Sequence, residues 1–366
     1  MTTALAAAND TVRALRARAV DVPLPRPLLT AGGPVTSAPL VLIDLETSAG
    51  VVGHAYLFCY TALALRATHA LLDDLAPVIE GMPLAPRTIA ARLHARFRLL
   101  GPQGLTGMAM AGIDMAAWDA LAVTHDVPLC VLLGAEPRAL AAYDSLGMMS
   151  AEEGVAHGRN SVAAGFGAVK FKIGWPDADT DVRFVDAVRT ALGPSCEIMM
   201  DYNQSLDRGE AIRRGKLLER FGLQWIEEPC RADDDASHAM VARALDTPIQ
   251  IGENWWGPNE AARSLAADAC DEMMLDVMKI GGVTGWLDAA ALATPTGRRI
   301  SSHLFPEISA HLLAATPAAR YLEWLDVASP VLEDSVGPSG GMVRATDRPG
   351  TGLRWNEDAI RRFALS

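Results

Sequence analysis

Apolar and polar positions alternate near the start of the chain and then change to a helical spacing. From about residue 12 to 60, the segments VRALRARAV and PLVLIDLETSAGVVGHAYLF alternate in this way around an SAG turn, which predicts strands that form an antiparallel hairpin. From about residue 61 to 125, alanine and leucine recur every three to four residues in ALALRATHALLDDLAPVIEG and MAMAGIDMAAWDALAVTHD, which predicts amphipathic helices. A sheet followed by helices is typical of an α+β module.

From about residue 140 onward, short apolar strands alternate with amphipathic helices. The predicted strands recur about every 20 to 30 residues, as AVKFKI, EIMMDY, QWIEE, PIQIGE, EMMLDVMKI and RRISSH. That spacing is what one β-α unit needs. A parallel α/β barrel is the simplest arrangement, and a length of 366 residues suits such a barrel with an added module.

Composition narrows the class of protein. Half of the residues are hydrophobic and 21% are charged, as in soluble globular proteins. A net charge of -12 gives no electrostatic reason to bind nucleic acid or an anionic membrane. The five cysteines are scattered without a C-x-x-C pair, which argues against disulfides and zinc and favours the cytoplasm. The N-terminus is a poor signal peptide, and no apolar stretch is long enough to span a membrane.

Polar residues stand at the ends of the predicted barrel strands, in the order Lys170 and Lys172, Asp201, Glu227, Glu253, Asp276 and His303. In a β/α barrel, the carboxyl ends of the strands form one face, so side chains that are far apart in sequence converge there. We therefore expect the active site at this mouth of the barrel.

Three of these strand ends carry single carboxylates, namely Asp201, Glu227 and Glu253. Hard oxygen donors without an accompanying cysteine or histidine suit Mg²⁺, with Mn²⁺ as a substitute. A lone carboxylate at a strand end is more often a helix cap or a surface charge, but three on consecutive strands favour a metal site. Glu228 is the alternative to Glu227, because neighbouring strand residues point to opposite faces and only one can face the mouth.

Lys170 and Lys172 are two residues apart in AVKFKIG, so both side chains point to the same face of the strand. Like charges held close together disfavour the ionised form, so we expect one lysine to have a lowered pKa and to act as a base near neutral pH. The alternative is a pair of surface lysines. Their position one strand before Asp201 argues against that alternative.

His303 in SSHLF follows Asp276 in LDVMKIGG by one predicted strand. A carboxylate on the adjacent strand can fix the tautomer of the imidazole and raise its basicity, which predicts a His-Asp dyad. A structural histidine is the alternative. Glu323 in YLEWLD lies in the expected last strand, where it is either a proton donor with a pKa raised by burial or an ordinary rim charge, and the spacing leaves both open.

Strings along nearly the whole chain resemble the enolase superfamily and, within it, the mandelate racemase subgroup. They are APLVLIDLETSAGVVGHAYLF, AGIDMAAWDAL, VKFKIG, DYNQSLD, WIEEP, GENWWGP, MKIGGVTGW and SSHLFPEISAHLLAATP. A K-x-K pair with a D/E/E carboxylate triad and a His-Asp dyad is specific for that subgroup. The resemblance implies a (β/α)7β TIM-like barrel of residues 131–329 and an α+β capping domain of residues 1–130, which the C-terminal segment 330–366 joins.

The resemblance also implies roles for individual residues. Asp201, Glu227 and Glu253 would bind Mg²⁺, and Glu228 would lie behind them. Lys172 and His303 would exchange the α-proton of opposite enantiomers. The supporting roles would fall to Asp276, which orients His303; Lys170, which contacts the substrate carboxylate; Glu323, the acid on that carboxylate; and Asn203, a polar contact near the α-substituent.

Two segments differ from the pattern of the subgroup. VPLPRPLLTAGGPVTSAP, expected to form a mobile loop over the site, carries Arg26 and extra prolines. DSLGMMSAEE departs from the DSHS pattern of the subgroup but keeps Ser145. The expected substrate pocket comprises Ser145 and the apolar residues Leu28, Leu29 and Tyr56. These apolar residues favour an aromatic substrate, whereas Arg26 favours a sugar acid.

The leading hypothesis is therefore an Mg²⁺-dependent racemase of an aromatic 2-hydroxy acid, mandelate or a close analogue. The alternatives are a sugar-acid (aldonate) dehydratase with the same metal and His-Asp residues, and a non-catalytic protein with the same fold. The expected partner is a small carboxylate substrate. The resemblance also implies a homo-oligomer, an octamer in related enzymes.

Overall fold

The structure is a computed structural model that describes residues 10–30 and 33–365, apart from the side chains of residues 25 and 26. Arg26, which distinguishes the sequence of the cap, therefore lies outside the described side chains. The chain begins with an antiparallel sheet in the order β1-β2-β3, with β1 at Val12–Thr30, β2 at Gly33–Thr47 and β3 at Val52–Phe58. The predicted hairpin of 40–58 corresponds to β2 and β3, whose register pairs Leu40 with Phe58.

Four helices of the described chain follow this sheet: α1 (Ala62–Ile79), α2 (Pro86–Arg96), α3 (Leu105–Thr124) and the short α4 (Leu129–Leu132). The helix α3 is almost wholly buried and packs against β3, because glycines allow a close approach. A Cβ on Gly53 would lie 2.1 Å from the Ala116 carbonyl oxygen, and one on Gly112 would lie 2.4 Å from Ile43 Cδ1. These contacts join the sheet and the helices into one capping module.

The segment 22–39 was expected to form a mobile loop over the site. Its described residues, 22–30 and 33–39, instead form the outer part of the β1–β2 hairpin, where Leu28 pairs with Val35 and Thr30 pairs with Gly33, so the prediction of a loop is wrong. The register shifts between Pro23 and Leu28, where prolines lack the N–H that a ladder needs. Because β1 is an edge strand, the prolines interrupt the pairing without ending it.

The barrel follows in the second part of the chain. Its strands lie side by side in the order β10-β9-β8-β7-β6-β5-β4-β11 and are parallel. They are β4 (Ala139–Leu146), β5 (Ala168–Lys172), β6 (Glu197–Asp201), β7 (Trp225–Glu227), β8 (Ile249–Ile251), β9 (Glu272–Asp276), β10 (Arg299–His303) and β11 (Leu322–Trp324). Hydrogen bonds from Ser302 N to Tyr321 O (3.0 Å) and from Arg320 N to Ile300 O (2.7 Å) close the barrel between β10 and β11.

A helix follows each barrel strand except the last. These helices are α5 (Ala151–Ala163), α6 (Ala178–Leu192), α7 (Arg208–Leu218), α8 (Asp235–Ala244), α9 (Pro258–Ala266), α10 (Gly282–Thr296) and α11 (Pro306–Ala314). The predicted (β/α)7β TIM-like barrel with an N-terminal α+β cap is confirmed. Large side chains that include Tyr143 and Trp225 fill the lower interior of the barrel, which leaves the carboxyl ends of the strands to carry polar groups.

The C-terminal segment returns to both parts of the molecule. The strand β12 (Met342–Arg344) pairs with β4, and the helix α12 (Glu357–Phe363) contacts β1. Trp355 Nε1 also donates to Asp44 Oδ1 at 2.6 Å. The domain boundaries at residues 130 and 330 stay a prediction.

The cysteines Cys59, Cys130, Cys196, Cys230 and Cys270 are all buried and free. None of the helices in the described part of the chain combines the length and the apolar character that crossing a membrane requires.

Candidate active site

Three buried carboxylates meet at the carboxyl ends of neighbouring barrel strands. Asp201 ends β6, Glu227 ends β7, and Glu253 follows β8 by two residues. The parallel register places Lys172, Asp201 and Glu227 side by side. One oxygen from each of the three carboxylates lies within 4.8 Å of the other two. The strand ends thus bring together the residues that the sequence proposed as metal ligands.

The chemistry of this triad fits Mg²⁺, which prefers carboxylate oxygens and keeps positions for water or substrate. Glu253 Oε2 is buried and has no hydrogen-bond partner among the described residues. Burial, together with the Asp201 and Glu253 carboxylates, raises the pKa of Glu227 to about 8 against the opposing charge of Lys170. A bound cation would relieve this repulsion, so the donor set fits a divalent metal ion.

Both lysines of β5 point into the barrel, and each contacts a carboxylate. Lys170 Nζ donates to Glu227 Oε1 at 2.6 Å and lies 2.8 Å from Glu323 Oε1, and Lys172 Nζ donates to Asp201 Oδ2. Lys170 is fully buried and Lys172 nearly so. The two ammonium groups therefore hold the carboxylates at fixed positions beside the triad.

The expected lowering of the lysine pKa is wrong for this arrangement. Burial lowers the pKa of Lys172 and so does Lys170, but Asp201 and the other carboxylates outweigh them, so the pKa lies above its ordinary value. The expectation considered the neighbouring lysine and not the carboxylate that pairs with each ammonium. A divalent cation on the same carboxylates would offset their charge and leave the repulsion by Lys170 relatively stronger.

His303 and Asp276 lie at the ends of adjacent strands and form a close pair. His303 Nδ1 is 2.7 Å from Asp276 Oδ2, while His303 Nε2 lies 3.3 Å from Glu253 Oε2. Burial alone would lower the pKa of His303, but Glu253, Glu323 and Asp276 raise it to about 9. Asp276 Oδ1 accepts from the backbone N–H groups of Met278 and Lys279 at 2.8 and 2.9 Å. These bonds fix the carboxylate that orients the imidazole.

Glu323 lies in β11, next to Lys170 and His303. Its Oε2 accepts from Leu304 N at 2.8 Å and lies 3.9 Å from His303 Nε2. Burial favours the protonated carboxyl, but Lys170, His303 and the hydrogen bonds to the carboxylate hold its pKa at about 2. The raised pKa that a proton donor needs, and that burial alone would give, is therefore absent here because two cations face the group.

A cavity of about 890 Å³ lies above these groups, between the barrel mouth and the β1–β2 hairpin. Leu28 and Ser145 line it as predicted. Leu29 does not: it lies on the other side of the hairpin and is 42% exposed. Adjacent strand residues point in opposite directions, so only one of the two leucines can face the cavity.

The prediction that Tyr56 lines the pocket is also wrong. Tyr56 is fully buried in the core, where its hydroxyl donates to Glu307 Oε2 at 2.8 Å and its ring packs against Phe305. Phe58, two residues further along the same face of β3, and Tyr60 line the cavity instead. On β3, the residue that lines the cavity is therefore Phe58, two residues nearer the end of the strand than the predicted Tyr56.

The hairpin is fixed to the barrel beside β4. Met148 N donates to Leu29 O at 2.7 Å. A Cβ on Gly147 would lie 3.0 Å from the Leu28 side chain and from the Leu29 backbone. The DSLG segment, which differs from the pattern of the subgroup, thus accommodates the hairpin because Gly147 has no side chain.

The residues of the site that sequence reasoning missed include the polar residues Tyr60, Asn254 and Lys279, which line the cavity. The Tyr60 hydroxyl donates to Asp276 Oδ2 at 3.2 Å, and Tyr60 has a positive φ of 57°. Asn254 and Lys279 stand beside Glu253 and Asp276 in GENWWGP and MKIGG, and this proximity was the signal that could have found them. No sequence pattern marks Tyr60.

Asn203 and Glu228 lie beside the carboxylate triad of Asp201, Glu227 and Glu253. Asn203 Nδ2 donates to Asp201 Oδ2 at 2.9 Å, and its Oδ1 has no partner among the described residues. Glu228 is buried beside Glu227 and accepts from Asn254 Nδ2 at 2.6 Å. Within the described chain, the carboxylate that groups with Asp201 and Glu253 is that of Glu227 and not that of Glu228.

Two family models cover most of the chain. Residues 14–134 match the mandelate racemase / muconate lactonizing enzyme N-terminal domain, and residues 153–359 match the enolase C-terminal domain-like family. The chain belongs to the mandelate racemase / muconate lactonizing enzyme family. It is therefore an enolase-superfamily enzyme, and its cofactor is Mg²⁺.

Similar members of this family include sugar-acid enzymes. The L-talarate/galactarate dehydratase of Salmonella typhimurium is 31% identical over 90% of this chain and 83% of that protein. The D-galactarolactone cycloisomerase of Agrobacterium fabrum is 29% identical over 89% of this chain and 91% of that protein. A third relative is the L-Ala-D/L-Glu epimerase of Bacillus subtilis. These similar proteins are thus named for dehydration, cycloisomerisation and epimerisation.

Two similar solved structures of the family hold different ligands. An enolase from Bradyrhizobium, complexed with magnesium and mandelic acid, is 43% identical, with a TM-score of 0.95 over 98% of this chain and 99% of that chain. The L-talarate dehydratase from Polaromonas sp. JS666, complexed with Mg and L-glucarate, is 27% identical, with a TM-score of 0.89 over 98% of each chain. Both ligands are small carboxylates.

Proposed function

We propose that this enzyme racemises an aromatic 2-hydroxy acid, mandelate or a close analogue, by moving the α-proton between Lys172 and His303. The arrangement of the two bases carries the proposal. Lys172 on β5 contacts Asp201, and His303 on β10 contacts Glu253. Three steps around the barrel separate these strands in one direction and five in the other. The bases therefore flank the carboxylate triad from different sides.

A proton next to a carboxylate is very weakly acidic, so its removal needs stabilisation of the charge that develops. Mg²⁺ held by Asp201, Glu227 and Glu253 supplies part of this stabilisation when it is bound. One base takes the α-proton and the other returns a proton to the opposite face, so the configuration inverts. The Asp276 carboxylate holds His303 in orientation throughout.

Two polar atoms of the site are available to a substrate. Ser145 Oγ and Asn203 Oδ1 are buried, and neither has a hydrogen-bond partner among the described residues. Both residues line the cavity. Ser145 can donate to the substrate carboxylate, and Asn203 can accept from the α-hydroxyl. Buried groups without partners are costly, so a ligand that pairs them gains affinity.

Part of the cavity wall is apolar. It comprises Leu28, Val35 and Phe58 from the cap and Leu304, Trp324, Leu325 and Val327 from the barrel. Such a wall suits a phenyl ring, because burial of apolar area is favourable at about 25 cal/mol per Å². The similar structure with mandelic acid supports the same substrate class.

The second candidate is a sugar-acid dehydratase, favoured by the similarity to the talarate/galactarate dehydratase. A polyol needs many free hydrogen-bonding groups. Gln204 and Thr61 line the cavity, but Gln204 Oε1 accepts from Ala232 N at 2.8 Å and Thr61 Oγ1 accepts from Leu63 N at 3.3 Å. These two oxygens already act as acceptors, but the Thr61 hydroxyl can still donate, so the apolar part of the wall and not these contacts favours the aromatic substrate.

Optical rotation of (R)-mandelate with enzyme and Mg²⁺ tests the proposal. We expect rotation to fall to zero, and we expect no change with His303→Asn, which is the matched inactive control. A parallel incubation with galactarate and aldonates, followed by semicarbazide detection of 2-keto acids, tests dehydration. Unchanged rotation together with 2-keto acid formation would replace the racemase proposal with the dehydratase.

A further inference from the structure

Lys279 is a buried cation beside the carboxylates that the sequence proposed as metal ligands. It follows β9 by three residues and is 8% exposed. Its Nζ donates to Asn254 Oδ1 at 2.5 Å and lies 4.4 Å from the centre of the Tyr60 ring. The ammonium thus contacts an amide oxygen and an aromatic face, a contact that an uncharged side chain would not provide.

Asn254 connects this cation to the proposed ligands. Its Nδ2 donates to Glu228 Oε2 at 2.6 Å and to Glu253 Oε1 at 3.3 Å. Only one orientation of the Asn254 amide gives both its oxygen and its nitrogen a partner. In this orientation Oδ1 points toward the ammonium and Nδ2 toward the carboxylates. The charge of Lys279 therefore selects the orientation in which Asn254 holds the carboxylates of two adjacent strand ends.

We propose that Lys279 is a positioning residue that acts through Asn254 to hold Glu253 and Glu228 in the geometry for metal binding. The proposal rests on the assignment of Asp201, Glu227 and Glu253 as the Mg²⁺ ligands. Lys279 does not touch these ligands itself. Groups that orient metal ligands in this way typically contribute about 10- to 100-fold to metal affinity or activity.

Electrostatics alone predicts the opposite effect. A positive charge near a bound cation repels it, so a lysine that acted only through its charge would weaken Mg²⁺ binding, and its removal would strengthen binding. Positioning predicts that removal weakens binding. The sign of the change in affinity therefore separates the two roles.

Mn²⁺ is titrated into the full-length protein while the EPR signal of the free ion is recorded. This shows whether a variant binds the metal more weakly or more tightly than wild type, and it needs no catalytic turnover. We expect about tenfold weaker binding in Lys279→Met and a similar loss in Asn254→Ala. The double variant should be no weaker than Asn254→Ala, because both act through one contact. Lys216→Met, which removes a half-exposed lysine, is the matched control and should bind like wild type.

Lys279→Arg adds a conservative variant that keeps the charge and the donors. The cavity above the site, which Lys279, Asn254 and Tyr60 line together, leaves room for a guanidinium. This variant should recover most of the affinity. Wild-type or tighter binding in Lys279→Met, or effects that multiply in the double variant, would overturn the proposal.

Glu253→Ala separates this outcome from failure of the ligand assignment. Loss of Mn²⁺ binding in Glu253→Ala with no loss in Lys279→Met contradicts only the role of Lys279. Retained binding in Glu253→Ala contradicts the metal site itself. Circular dichroism of each variant confirms that it has folded.

Discussion

Replacing Gly147 with alanine should move the hairpin over the active site without unfolding the protein. The added Cβ would lie 3.0 Å from Leu28 Cδ1, Leu29 N and Leu29 O, so the hairpin must withdraw by a few tenths of an ångström. The bond from Met148 N to Leu29 O, now 2.7 Å, would lengthen but not break. Because Leu28 lines the cavity, this withdrawal weakens the packing of Leu28 against the substrate ring.

We expect substrate binding to weaken by about 1 kcal/mol, which corresponds to about a fivefold rise in KM for mandelate. The base side chains are not displaced, so kcat should stay within about twofold. Restriction of the unfolded chain by alanine contributes about 0.4 to 1 kcal/mol of stability and offsets the contact strain. The melting temperature should therefore change little.

Steady-state racemisation followed by optical rotation measures both kinetic parameters. Gly167→Ala is the matched control, because a Cβ there would meet nothing within 4 Å. An unchanged KM in Gly147→Ala, or a fall in kcat with KM unchanged, would refute the reasoning that the hairpin forms one wall of the substrate pocket.

Three further changes have defined outcomes. Burial raises the pKa of Glu307 to about 7, against the opposing hydrogen bond from Tyr56. The unfolded chain loses this proton near pH 4.5, so the free energy of unfolding falls between pH 4.5 and 7. By pH 8 this loss amounts to about 3 kcal/mol, and Glu307→Gln should remove it. Urea melts that show the same pH dependence for Glu307→Gln and for wild type would contradict this. Mg²⁺ at about 100 times its Kd should add about 2.7 kcal/mol, reversed by EDTA, and a similar gain in Asp201→Asn would exclude that ligand. Gly53→Ala should prevent stable folding, because its Cβ would lie 2.1 Å from a carbonyl oxygen of α3; a normal melting curve would contradict the packing.

The sequence predicts the barrel and the strand-end residues well because two simple rules apply. Parallel strands bring their carboxyl ends to one face, and residues two apart share a face. These rules suffice to bring Lys170, Lys172, Asp201, Glu227 and His303 together, and the register confirms the alignment of the first three strand ends. Neither rule depends on details of packing.

Other features depended on contacts that no local pattern records. The position of Tyr60 follows from a turn with positive φ between the cap sheet and α1. Leu29 and Tyr56 were placed in the pocket from their apolar character, whereas their strand positions send them to the far side of the hairpin and into the core. The wrong pKa direction for Lys172 has the same origin, because an ion pair across strands decides it. Ion pairs across strands also lower the pKa of Glu323, whose role the sequence left open.

Exchange of the substrate α-proton in D₂O, measured by NMR on each mandelate enantiomer separately, tests the two-base claim most directly. Wild-type enzyme with Mg²⁺ should exchange both enantiomers. Lys172→Ala should retain exchange of one enantiomer only, and His303→Asn should retain exchange of the other. Loss of both exchanges in either variant, or the same enantiomer surviving in both, would contradict two bases that act on opposite faces.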